Sequence, residues 1–147
     1  TSRKIENVAN NHYLITTPME HVYEDIDNRY GYGRIGDFEV VIDKQLGMIN
    51  GTELAPSCGK DYDDWVRDEN TRGFIQELCA TTGLEESELL VLKRGQKGDR
   101  AVINGTYMHP YLFIHLAQWC SPKYYLRTIG VVKDCRDRER LTDRYLE

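Results

Sequence analysis

Gly105-Thr106-Tyr107-Met108-His109-Pro110-Tyr111-Leu112-Phe113-Ile114-His115-Leu116-Ala117-Gln118-Trp119-Cys120-Ser121-Pro122 is the stretch that decides the fold. Pro110 suits the first turn of a helix, where its missing N–H would have no partner anyway. From there Leu112, Phe113, Leu116, Ala117, Trp119 and Cys120 fall on one arc at helical spacing, opposite Tyr111 and Gln118. Ser121-Pro122 repeats the start signal, a hydroxyl N-cap followed by proline at the first helical position. Two helices therefore meet at a corner. The first carries the densest apolar face, and Leu112, Phe113, Leu116 and Trp119 are expected in the main core.

Just upstream, Leu89-Leu90-Val91-Leu92 reads as a buried strand, residues 93–100 as a turn and Ala101-Val102-Ile103 as the partner strand. That is a β-hairpin with a basic, glycine-containing tip, the shape of a wing, and Asn104-Gly105 turns the chain out of it. Before the hairpin, Asn70 is the expected N-cap of a helix reaching Thr82, with Gly83 just past its end. Phe74, Ile75, Leu78 and Cys79 form its inner face, while Arg72 and Gln76 stand one turn apart outside. Asp61 caps a short helix over residues 62–68, and Thr52 caps another running to Cys58. Two short helices joined tightly are what a helix-turn-helix needs.

Nearer the start, Phe38-Glu39-Val40-Val41-Ile42 and Met48-Ile49 flank a turn and predict a second hairpin. The glycines at 31, 33 and 36 precede a strand, whereas a phosphate-cradling loop needs a helix to follow. Residues 1–29 are read as an N-terminal arm or leader, residues 30–132 as the domain, and residues 133–147, with alternating charge, as a solvated helical tail.

The chain has 147 residues, 40% of them hydrophobic and 29% charged, which fits one soluble globular domain. It contains no apolar run long enough to span a membrane and no signal-peptide pattern. Starting at Thr1, it reads as a piece of something longer. Four cysteines without a C-x-x-C pair read as reduced thiols, which implies an intracellular, reducing compartment. The two Asn-Gly-Thr sequences, at Asn50 and Asn104, read as turns rather than glycosylation sites. Net charge is −5, yet the distribution is uneven. From Leu89 to Val132 there are six Lys/Arg against one acid, Asp99; from Arg34 to Glu88 there are five bases and thirteen acids. One end of the domain is basic and the other acidic.

Lys93, Arg94, Gln96, Lys97 and Arg100 on the hairpin tip are the candidates for phosphate contact, because cations on a loop track phosphates and release counterions. Arg72 and Gln76 could read base edges, and Lys60 and Arg67 could touch phosphate or neutralise Asp63, Asp64 or Asp68. Asp61, Asp64 and Asp68 share a helical stripe, which raises a metal-dependent nuclease as a rival. Carboxylates on one helix project in parallel, however, and a hard cation needs them to converge. His109 and His115 are off any ligand spacing, and no nucleophile motif occurs. The residues therefore predict no enzyme, no metal and no cofactor.

The opening stretch also resembles the C-terminal signature of the KilA-N domain, a module of large DNA viruses and phages. That signature reads Gly-Thr-aromatic-apolar-His-Pro, then an apolar helix ending Leu-Ala-x-Trp, then Ser-Pro. It is matched by residues 105–110, by Leu116-Ala117-Gln118-Trp119 and by Ser121-Pro122. A second block, Asn50-Gly51-Thr52-Glu53-Leu54, Gly59-Lys60 and Asp64-Trp65-Val66-Arg67, resembles the family's upstream elements, with Gly51 where alanine is usual. The resemblance implies a compact α+β fold similar to the winged-helix-like APSES domain of fungal transcription factors. It implies helix-turn-helix-like helices and a β-hairpin wing. It also implies a viral protein binding DNA, double-stranded first and single-stranded second, in the host cytoplasm (a viral factory) or nucleus. In poxviral relatives such a domain is often followed by a RING finger. No RING cysteines occur here, so the chain reads as an excised domain or a stand-alone member. The rival class is a protein-interaction or adaptor module, which the acidic half, the negative net charge and the many tyrosines suit better.

Overall fold

A computed structural model describes residues 18–129. The charged tail, Cys135 and the part of the arm before residue 18 lie outside the described residues. Six strands, β1 (Val22–Asp25), β2 (Tyr30–Ile35), β3 (Phe38–Asp43), β4 (Met48–Asn50), β5 (Leu90–Lys93) and β6 (Gly105–Met108), form one sheet. Its order is β1-β2-β3-β4-β6-β5, and every neighbouring pair is antiparallel. The helices are α1 (Leu54–Ser57), α2 (Tyr62–Arg67), α3 (Glu69–Thr82), α4 (Glu86–Leu89), α5 (Pro110–Cys120) and α6 (Pro122–Ile129). The fold is α+β, as expected.

Strand alternation divides the apolar residues between two cores. Ile35, Ile42, Ile49 and Met108 project to the helix side and meet Leu112, Phe113 and Leu116 of α5, with Ile75 and Leu78 of α3. Tyr30, Val41, Met48 and Tyr107 project to the opposite face, where Ile103 closes over them. The arc on α5 is buried as its spacing predicts, with one correction. Trp119 is only partly buried, at the margin of the core, because the last turn of α5 faces Lys60 on the loop after α1 instead of the sheet. The fully buried tryptophan is Trp65 of α2. Its Nε1 donates to His115 Nδ1 at 3.0 Å, and the His115 ring stacks on Phe74 at 4.6 Å between centroids.

Helix caps follow the sequence in part. Asp61 accepts from the Asp63 N–H as expected, Ser121 from the Tyr124 N–H, and Gly83 ends α3. Asn70 does not cap α3. Asp68, with extended backbone, ends α2 and at once caps α3 by accepting from Asn70 N at 3.0 Å, so a single residue joins the two helices. The three aspartates of the acidic stripe are thereby accounted for: Asp61 and Asp68 cap, and Asp64 pairs with Arg67 at 3.4 Å. Cys120 lies beside Cys58. Burial, then the neighbouring thiol, pushes its pKa up to about 12, so it stays protonated.

The upstream hairpin forms but pairs only at Ile42–Ile49 and Asp43–Met48, and its first strand pairs along its whole length with β2, the glycine-containing stretch; the basic hairpin also differs from the sequence reading. Residues Gly98–Ile103 are a 3₁₀ helix, and β5 pairs instead with β6, which begins at the supposed turn glycine, Gly105. The reason lies in the two Asn-Gly-Thr sequences, which fold against each other. Asn50 Nδ2 donates to Asn104 O at 2.9 Å, Thr106 N to Thr52 Oγ1 at 2.8 Å, and Gly51 N to Thr106 O at 3.0 Å. Gly105, at φ +143°, is required here, since a Cβ would stand 2.2 Å from Thr52 Oγ1. Thr52 is thus spent on the brace and does not cap α1, which starts after Glu53 without a side-chain cap.

Candidate nucleic-acid interface

The tip of the β5–β6 hairpin, residues 94–104, is built from the inside out. Ile103 is fully buried in the second core, and Tyr107 Oη donates to its carbonyl at 2.6 Å. Asn104 holds Gln96 from both sides, accepting from its N–H at 3.1 Å and donating to its carbonyl at 2.9 Å. Arg100 donates to Gln96 Oε1 at 3.1 Å and to Asp27 Oδ2 at 2.7 Å. The Asp27 carboxyl is held down at about 2, first by the Tyr30 N–H and then by Arg100. The Tyr107 and Asn104 bonds lie inside the tip, and the two Arg100 bonds run along its exposed surface. Arg94 and Lys97 are exposed, as are Asp99 and the paired Arg100, while Lys93 lies half-buried with its ammonium 5.6 Å from the Tyr30 ring centroid.

Six ion pairs take up Arg29, Arg34, Lys44, Arg67, Arg72 and Arg100. The pair between Arg29 and the buried Asp43 is bidentate, at 3.0 and 2.7 Å, and sits beneath the tip against Tyr30. Among the described residues, Lys93, Arg94 and Lys97 carry no carboxylate partner, and they are contiguous. Asp99 is the one acid on the tip.

The remaining candidates stand elsewhere. Arg72 is not free beside Gln76: its guanidinium bonds both Glu86 oxygens, at 3.1 and 2.6 Å, and the Val66 carbonyl at 3.3 Å. Glu86 holds it because α4 brings that carboxylate back over the first turns of α3, and Arg72 in turn holds the Glu86 carboxyl below its ordinary range. Gln76 stays exposed on α3. Lys60 donates to the Trp119 carbonyl at 3.0 Å, with its ammonium 4.7 Å from the Trp119 ring centroid, rather than neutralising the aspartates. Arg67 does neutralise Asp64, on an exposed turn. Lys93, Arg94, Gln96, Lys97 and Arg100 are therefore brought together, whereas Arg72 and Gln76 lie toward the opposite end of β5, roughly 10 Å of strand away. Sequence reading missed Asn104 and Ile103, which set the tip's shape. Their only signals were a repeated Asn-Gly-Thr and an apolar residue beside it.

An antiparallel sheet with helices on one face and a braced, basic hairpin tip defines a small α+β module. The chain belongs to the KilA-N domain family, described as "KilA-N domain", whose model matches residues 33–137. Among its relatives are two proteins of Acanthamoeba polyphaga mimivirus named as KilA-N domain-containing. L32 is 38% identical over 98 residues, covering 67% of this chain and 26% of that protein. L4 is 34% identical over 120 residues, covering 82% and 26%. A fowlpox virus protein, FPV248, is 27% identical over 118 residues, covering 78% of this chain and 76% of its own. The chain thus spans about a quarter of the length of the two mimivirus relatives. No solved structure matches it. No described helix is long and apolar enough to cross a membrane.

Proposed function

We propose that this KilA-N domain is a viral DNA-binding module that holds duplex phosphates with the β5–β6 tip, largely without regard to sequence. The observation that carries the reading is the grouping of Lys93, Arg94 and Lys97 on one hairpin; among the described residues six other bases are in ion pairs, and the remaining unpaired ones, Lys60, Lys123 and Arg127, lie on other elements. The rigid brace through Asn104 presents them without a large ordering cost. The joined helices α2 and α3 supply a helix-turn-helix-like element, with Gln76 its exposed candidate free of an ion pair and Arg67 exposed but paired with Asp64. The domain binds DNA and does not cleave it, in an intracellular, reducing compartment.

Anisotropy titrations of a labelled duplex at three salt concentrations test this. Replacing Lys93, Arg94 and Lys97 by alanine should weaken all duplexes alike and flatten the slope of log K against log salt by up to about three. Arg72→Ala, whose guanidinium is engaged with Glu86, should leave that slope unchanged. A triple variant that keeps the parental affinity and slope would reduce the tip to an ordinary turn. A parent without salt-sensitive binding to double- or single-stranded DNA would favour the adaptor reading.

A further inference from the structure

The strands β3 and β4 separate after two paired positions, and the split leaves a binding slot in the sheet. β3 pairs with β4 only at Ile42–Ile49 and Asp43–Met48. Beyond Ile49 the Asn-Gly-Thr brace draws residues 50–52 toward β6, so the first half of β3 has no neighbour on that side. The turn at Gly36-Asp37 has two residues, which makes Ile35 and Phe38 a hydrogen-bonded pair. Phe38, Val40 and Ile42 therefore aim their backbone groups at β2, while Glu39 and Val41 aim theirs outward. Among the described residues nothing bonds the outward N–H and C=O of Glu39 or the outward N–H of Val41; the Val41 C=O is taken by the Asn50 N–H, because Ile42 and Ile49 form a non-hydrogen-bonded pair. An open strand edge of this kind is a template for another strand.

A cleft of about 520 Å³ runs along this edge. Its helix-side wall is Leu54, Phe113 and Tyr124, and its opposite wall is Tyr32, Val102 and Asn104. Arg127 stands at the Phe38 end, its guanidinium 4.1 Å from the Phe38 ring centroid and 5.5 Å from that of Tyr124. Among the described residues no carboxylate pairs with Arg127, whereas Glu39, the nearest acid along β3, is already bonded by Arg34 and Tyr23. The Arg127 carbonyl accepts from Asp37 N at 2.9 Å, which ties α6 to the β2–β3 turn and fixes the cation at the mouth of the slot.

We infer that this slot receives an extended peptide segment of a partner protein, which adds as a strand to the Phe38–Val41 edge. Main-chain bonds to the Glu39 N–H and C=O and to the Val41 N–H give the affinity, and alternate side chains enter the two walls. The partner residue opposite Phe38 faces Arg127 and is acidic. The one opposite Val40 faces Leu54 and Phe113 and is apolar, and the one opposite Val41 rests on Val102 and Tyr32 and is apolar too. The site adjoins the basic tip, sharing Val102 and Asn104 with it, but uses none of Lys93, Arg94 and Lys97 and stands whether or not the tip binds DNA.

Phage-displayed random heptapeptides panned against the full chain, followed by titration of the selected synthetic peptides, test the inference. Selected sequences should share an acid two positions from an apolar residue, and their binding should slow exchange of the Glu39 and Val41 amides. Glu39→Pro removes one outward N–H while sparing the β2 ladder, and Arg127→Glu reverses the charge. Each should weaken binding at least tenfold, and a peptide with lysine in place of the acid should recover affinity for Arg127→Glu alone. The proposal fails if no peptide is selected, or if bound peptides leave the two amides exchanging as before. It also fails if both variants, with unfolding midpoints like the parent's, bind equally well. Amides already protected in the protein alone would mean the chain or a second copy fills the slot, which likewise overturns it.

Discussion

Lowering the pH from 7.5 to 5 should destabilise the domain chiefly through His109. The partly buried imidazole is the N-cap of α5, where Nδ1 accepts from the Tyr111 N–H at 3.0 Å. That bond requires an unprotonated Nδ1, and burial lowers the pKa to about 4. An unfolded chain titrates near 6.5 and takes up a proton that the folded protein refuses. Stability is therefore fully present above about pH 6.5 and is lost as pH falls from there toward 4. With those two values the loss relative to pH 7.5 is roughly 2 kcal/mol at pH 5 and roughly 3 kcal/mol at pH 4. His115 adds in the same direction, because burial also lowers its pKa and its Nδ1 accepts from Trp65. The Asp27 carboxyl, held at about 2, gives up its contribution only below this window. Urea unfolding of the parent and of His109→Asn at both pH values isolates the term, since asparagine caps a helix without titrating. The parent should lose about 2 kcal/mol more than His109→Asn between pH 7.5 and 5. Equal losses in the two proteins would refute the reasoning.

Two further outcomes follow from packing. Trp65→Ala should cost on the order of 3–5 kcal/mol in urea unfolding, and Trp119→Ala distinctly less, because Trp65 is fully buried and Trp119 lies at the margin. At the brace, Gly105→Ala should cost about 3 kcal/mol or more, as a Cβ at φ +143° meets Thr52 and Asn50. Gly51→Ala, where the Cβ would press on the end of the Met108 side chain and make ordinary contact with Phe113, should cost distinctly less than Gly105→Ala by the same measurement.

Local rules settled a good part of this molecule. The arc from Leu112 to Cys120, the prolines at 110 and 122, the Asp61 and Ser121 caps and the turn joining β3 to β4 depend on neighbours within a few residues. Their physics is complete in the sequence. The cluster of bases around residues 93–100 was likewise legible, because charge needs no fold to be counted. What the tertiary structure decided are the choices among partners far apart in the chain. Arg100 met Asp27, 73 residues away, and Arg72 met Glu86, 14 away, so two cations that looked free were neutralised. Residues 101–103 and 105–108 offered β5 comparable local partners. The bonds between the two Asn-Gly-Thr sequences, 54 residues apart, chose the second, and by drawing β4 toward β6 they opened the edge of β3. Which tryptophan became core was decided in the same way: both are apolar, and only packing places α2 over α5 and leaves the last turn of α5 to a lysine.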